Sequence, residues 1–133
     1  MPALVADTHA AIWYLQGSAK LSTAALSAIR GAASAGDPVY LSAITLVEAT
    51  FLVEKGKLPA VALSSLEAAL EQRDADFEVM PLNSAVARTL QRVPRDLVPD
   101  MPDRIIAATA LNLGLPLVTR DRNIRASGIE TIW

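Results

Sequence analysis

The 133-residue sequence predicts an α/β fold: a mostly parallel sheet of about five strands with helices on both faces. Three observations predict it. Short apolar runs alternate with longer stretches of helical periodicity. Residues that favour helix N-caps, and glycines that stop helices, fall at the joints between them. No repeat, low-complexity segment or long linker divides the chain, so one domain over 1–133 is expected.

The apolar run ALVA predicts a first strand over 3–6, and THAAIWYL a helix over 8–15. Ser22 stands at the N-cap of a helix over 22–35, which Gly36 stops. VYL predicts a strand over 39–41. Ser42 then stands before a helix over 44–54 that ends by Gly56. A helix over 60–73 follows, then a strand over 77–82 (FEVMPL). Asn83 stands where the cap of a helix over 84–93 is wanted. Asp103 opens a helix over 103–113 that Gly114 ends, and LPLVT and IETIW predict the last strands over 115–119 and 129–133.

Composition excludes several classes. The chain is 52% apolar, which argues against a disordered or fibrous protein, and it has no cysteine for disulfides, zinc–thiolate sites or thiol nucleophiles. It shows neither a secretory leader nor a stretch able to span a membrane, and a cytoplasmic location is expected. Twelve Lys/Arg against 14 Asp/Glu give a net charge of −2, with a pI near 5.3. Bulk charge therefore does not draw this chain to a polyanion; metal held by carboxylates could do so instead.

In an open parallel sheet, ligands bind beyond the carboxyl ends of the strands. Asp7 follows the first apolar run directly and Asp121 follows the fourth, so both belong at one sheet edge; either could also be a helix cap. On a helical wheel Ile44, Val47, Glu48, Phe51 and Leu52 share a face, with Glu48 the only charge in an apolar stripe. An unpaired carboxylate there is costly, so a salt bridge, a solvent-open edge or a metal must relieve it. Asp103 lies on a stripe with Ile106, Ala107 and Ala110, whose small side chains leave room for close approach. Asp100 and Asp103 also have the spacing of an N-cap and its partner, and Asp100 is read as a cap. Should the four acids converge, a hard divalent cation would relieve their repulsion. Oxygen-only ligation favours Mg²⁺ or Mn²⁺ over zinc, and phosphodiester hydrolysis by metal-activated water is the natural chemistry.

Three stretches carry a resemblance over essentially the whole chain: DTHAAIWYL at 7–15, YLSAITLVEATFLVEKGKL at 40–58 and PDRIIAATALNLGLPLVTRD at 102–121, followed by the terminal tryptophan. Together they resemble the PIN-domain ribonucleases, in particular the VapC-type toxins of toxin–antitoxin pairs. The resemblance implies a PIN-like three-layer fold and an acidic quartet at Asp7, Glu48, Asp103 and Asp121. Asp7 and Asp103 would be the main metal ligands, and the hydroxyl of Thr119 would orient a carboxylate or a water. Ser42 matches a further small polar position near the site. It also implies Mg²⁺- or Mn²⁺-dependent endoribonuclease activity as the toxin of a type II pair, an RNA substrate, a VapB-type antitoxin and a homodimer.

Other residues have plainer readings. His9, the only histidine, could be a general base, although a metal site needs none. Arg104 and Arg120 adjoin proposed ligands and could either contact phosphate or stay solvated. Trp13 and Trp133 read as core residues. Leu46 and Val53 form a second apolar face on the third helix, for Leu63, Leu66 and Leu70 of the fourth helix or for a partner to cover. Two other classes compete: a metal-dependent phosphotransferase or phosphatase, and a non-catalytic scaffold. The first expects an acid two residues after Asp7, where His9 stands, and a late lysine, absent after Lys57. The intact quartet argues against the second.

Overall fold

The three residues of β1 (Leu4–Ala6) divide between two cores: Leu4 and Ala6 enter one, Val5 the other. Alternation along a strand sends successive side chains to opposite faces, so β1 is buried on both sides. In this computed structural model, which describes residues 3–72 and 75–133, β1 is the middle strand of the sheet. It pairs with β2 (Val39–Ser42) on one side and β4 (Leu117–Val118) on the other. β3 (Phe77–Met80) lies outside β2, and β5 (Thr131–Ile132) outside β4. The order is β3-β2-β1-β4-β5, with every pair parallel.

Parallel neighbours need crossovers, and the crossovers are helices. α1 (Thr8–Gln16) and α2 (Thr23–Ser34) join β1 to β2, and α3 (Ala43–Glu54) and α4 (Ala60–Glu71) join β2 to β3. The chain then crosses to the other half of the sheet through α5 (Ser84–Thr89), a 3₁₀ turn at Leu90–Arg92 and α6 (Met101–Leu113). α7 (Arg122–Ala126) links β4 to β5. A uniform crossover hand puts helices of opposite lateral moves on opposite faces. The cores divide accordingly: Ile12, Ile29 and Leu66 of α1, α2 and α4 pack on one face, and Val86, Ile106 and Ile124 of α5, α6 and α7 on the other. The three-layer architecture with helices on both faces is therefore as expected.

The differences are local. β3 stops at Met80 because Pro81 has no N–H for a ladder. The helix expected over 84–93 is α5 followed by the 3₁₀ turn. α6 starts two residues early, at Met101, because Asp100 takes the N-cap and Pro102 suits a first turn. α4 is described to Glu71, and Arg73, the expected last residue of that helix, lies outside the described residues. α7, with five residues, is too short to show a periodicity and was not expected.

The apolar stripe around Glu48 is split: Ile44 packs against the core, whereas Val47 is 61% exposed and Phe51 54%. The buried residues of α3 are Thr45 and Ala49. Small side chains let this helix approach its neighbours closely, while Val47 and Phe51 fall on its outer surface. Leu46 does pack inward, in one cluster with Leu63, Leu66 and Leu70 of α4.

Candidate functional site

In this strand order the chain reverses its lateral direction between β1 and β4, and the crevice beyond their carboxyl ends is where an open α/β sheet binds ligands. Asp7 leaves β1 there, and its backbone N–H donates to the Val118 carbonyl across the strand pair at 3.0 Å. Thr119 and Asp121 leave β4 beside it. The cavity at this point, about 260 Å³, is lined by Asp7, Glu48, Asp100, Asp103 and Asp121 together with His9, Trp13 and Arg120. The four acids expected to meet line one cavity, and a fifth, Asp100, joins them.

Three helices begin at this cavity, each capped by one of its carboxylates. Asp7 Oδ1 accepts the N–H of Ala10 at 2.8 Å, Asp100 Oδ2 that of Asp103 at 3.1 Å, and Asp121 Oδ1 that of Ile124 at 2.9 Å. The choice between cap and ligand that the sequence posed does not arise, because a carboxylate has about four lone-pair sites and a cap uses one. The sequence reading of Asp100 favours a cap over a ligand. The capping-box spacing that identified the cap was also the signal that could have placed it at the cavity.

Thr119 ties two of the acids together. Its side chain is fully buried, and its hydroxyl donates to Asp7 Oδ2 at 2.5 Å and accepts the Asp121 N–H at 3.0 Å. It therefore holds a carboxylate in place. A second buried pair lies behind the site, where Thr8 Oγ1 of α1 donates to Thr45 Oγ1 of α3 at 3.2 Å. This bond fixes the helix carrying Glu48 against the helix that Asp7 caps. Ser42 caps α3 through its hydroxyl, which accepts the Ile44 N–H at 3.3 Å.

Carboxylate oxygens of Glu48, Asp100 and Asp103 all lie within 4.8 Å of one another. Such crowding raises proton affinity. The Asp103 carboxyl is pushed up to about 8, first by burial and then by the charges of Asp100, Asp121, Glu48 and Asp7. Burial also lifts the Asp7 carboxyl above its ordinary value; Thr119, the Ala10 N–H and His9 oppose the rise, and Glu48 adds to it. Oxygen ligands of a hard divalent cation stand about 2.0–2.6 Å from it, hence no more than about 5 Å from each other. The three clustered carboxylates already meet that condition, and an ion would replace the proton that repulsion otherwise retains.

The two arginines beside the acids have different surroundings. Arg104 is engaged with the backbone: Nε donates to the Val93 carbonyl at 2.8 Å and a terminal nitrogen to that of Leu90 at 3.1 Å. Arg120 lies over the Trp13 ring, its guanidinium carbon 4.6 Å from the centroid. Trp13 is buried, as a core residue should be, yet it also forms part of the cavity wall.

A family model described as the PIN domain matches residues 4–129. The chain belongs to the PIN-domain family. It is 32% identical over 127 residues to Ribonuclease VapC22 of Mycobacterium tuberculosis, an alignment covering 95% of this chain and 92% of that protein. Two solved structures share the fold. One is VapBC2 from Rickettsia felis bound to a DNA fragment from its promoter, with a TM-score of 0.71, 16% identity, and coverage of 97% and 96% of the two chains. The other is FitAcB from Neisseria gonorrhoeae, with a TM-score of 0.63, 22% identity, and coverage of 96% and 95%. The PIN-like fold expected from the three sequence stretches is thus the fold of the molecule.

Proposed function

We propose that this PIN chain is a divalent-metal-dependent endoribonuclease, the toxin of a type II toxin–antitoxin pair, working as a single domain. The observation that carries the reading is the convergence of five carboxylates on one cavity at the crossing point of the sheet. The relationship to Ribonuclease VapC22 gives RNA as the substrate class.

Asp7, Glu48, Asp103 and Asp121 would hold Mg²⁺ or Mn²⁺, Asp7 and Asp103 being the main ligands, with Asp100 within reach of the same ion. When bound, the ion supplies Lewis acidity, which favours ionisation of water and offsets charge on the phosphoryl oxygens in the transition state. The chain's own residues prepare that state. Thr119 fixes the orientation of Asp7, the three helix caps immobilise the side chains of Asp7, Asp100 and Asp121, and Asp103 gives up its proton when the cation arrives. Phosphodiester cleavage follows from placing the scissile phosphate against this wall.

The reading includes two protein partners, a VapB-type antitoxin and a second copy of the chain. The exposed Val47 and Phe51 of α3 form an apolar surface suited to burial against a protein. No helix among the described residues is long and apolar enough to cross a membrane, and a cytoplasmic location fits a toxin acting on RNA.

The test is to incubate the purified protein with total RNA, with and without Mg²⁺ or Mn²⁺, and to map new ends. Metal-dependent cleavage is expected, lost in Asp7→Asn with the fold intact because asparagine still caps a helix. Absence of cleavage by the wild type, or full activity in Asp7→Asn, would discard the reading.

A further inference from the structure

An acidic cavity repels RNA until cation arrives, and even then something must locate the strand. Among the described residues Arg120 is the only lysine or arginine lining the cavity. Its place is set from three sides. Thr119, one residue before, is buried and bonded to Asp7; Asp121, one residue after, caps α7; and the guanidinium lies over Trp13. Trp13 is itself only 7% exposed and is held by the rings of His9 and Trp133, at centroid distances of 5.4 and 6.0 Å. It therefore acts as a fixed pedestal rather than a surface for bases.

A guanidinium held over a ring through its carbon keeps N–H donors for other partners, and two of them in a fork match two oxygens of one phosphate. Arg104 spends its Nε and one terminal nitrogen on backbone carbonyls and does not line the cavity.

We propose that Arg120, held on Trp13, binds a backbone phosphate of the RNA adjacent to the scissile one and thereby sets where the strand enters the carboxylate site. This rests on the ribonuclease reading above. The contact is to phosphate and carries no base information, so it governs affinity and register rather than sequence choice.

The test uses a fluorophore–quencher oligoribonucleotide spanning a site mapped in total RNA, with Mn²⁺ saturating. Arg120→Ala is expected to raise KM about tenfold, the scale of losing a charge-assisted contact, with kcat within about twofold. Arg120→Lys keeps the charge without the fork and should recover only part of the loss. In the Asp7→Asn background, adding Arg120→Ala should also reduce the salt dependence of oligonucleotide binding by somewhat less than one unit of log–log slope. Arg120 is exposed, so folding is preserved, and thermal melts confirm it. Cleavage by the wild type with an unchanged KM in Arg120→Ala would overturn this assignment alone. No cleavage by the wild type would overturn the ribonuclease reading with it.

Discussion

Replacing Asp103 with asparagine should stabilise the metal-free protein while removing its response to metal. Oxygens of Glu48, Asp100 and Asp103 lie within 4.8 Å of each other. At an effective dielectric near 20, two unit charges at that separation repel by about 3–4 kcal/mol. The native protein avoids part of this cost by keeping Asp103 protonated, with its carboxyl at about 8 against an ordinary 3.8. Between those values the folded state binds a proton that the unfolded state lacks, so stability falls as pH rises from about 4 to about 8. Asp103 is only partly buried, and solvent screening reduces the realised effect to about 1–2 kcal/mol at pH 8. For a chain of this size that corresponds to about 5 °C in Tm. The assay is differential scanning calorimetry in EDTA between pH 5 and 8.5, repeated with excess Mn²⁺. In EDTA the Tm of Asp103→Asn should exceed that of the wild type by about 5 °C at pH 8, with the gap narrowing toward pH 5. With Mn²⁺ the wild type should gain and the variant should not. A gap independent of pH, or an equal gain from Mn²⁺ in both proteins, would refute the reasoning.

Other outcomes follow from the same geometry. Because the cation displaces the Asp103 proton, Mn²⁺ affinity should rise with pH up to about 8, with release of as much as about one proton per ion near pH 7. Calorimetry in buffers of different ionisation enthalpy measures this, and zero proton release would contradict it. Thr119→Val leaves Asp7 Oδ2 without its donor and the Asp121 N–H without its acceptor. It should cost about 1–3 kcal/mol in urea unfolding and most of the activity, with Thr119→Ser restoring both. Phe51→Glu places a charge on the exposed face of α3 and should convert the proposed dimer into a monomer in analytical ultracentrifugation, without changing the melting behaviour of the monomer. A mass unaffected by the substitution would move the self-association surface elsewhere.

The carboxyl end of β1 was legible because it rests on local pattern. An acid directly after a short apolar run, as at Asp7, marks a carboxyl end whatever the rest of the chain does. The pairing of β1 with β4 was not legible, since nothing near residue 6 in the sequence refers to residue 118. Glu48 was placed at the site by an argument that the fold corrects. The wheel supplied an apolar stripe without saying which part of it is buried, whereas Val47 and Phe51 face outward and the fully buried residues of α3 are Thr45 and Ala49. Helical periodicity finds the large apolar side chains and cannot tell a core from a docking surface. Asp100 was ranked as a cap ahead of a ligand by treating the two as alternatives, although one carboxylate can do both. The different uses of Arg104 and Arg120 depend on carbonyls and a ring brought in from other elements, which no local window contains.

The bond from Thr119 to Asp7 joins residues 112 positions apart in the sequence. A growing chain exposes β1 first and must wait for β4 before that edge of the strand is covered and its acid is held. Throughout most of its synthesis, then, the nascent polypeptide carries the pieces of a nuclease without the means to assemble one. Translation halted ahead of residue 117 would leave a fragment unable to attack the very transcripts around it.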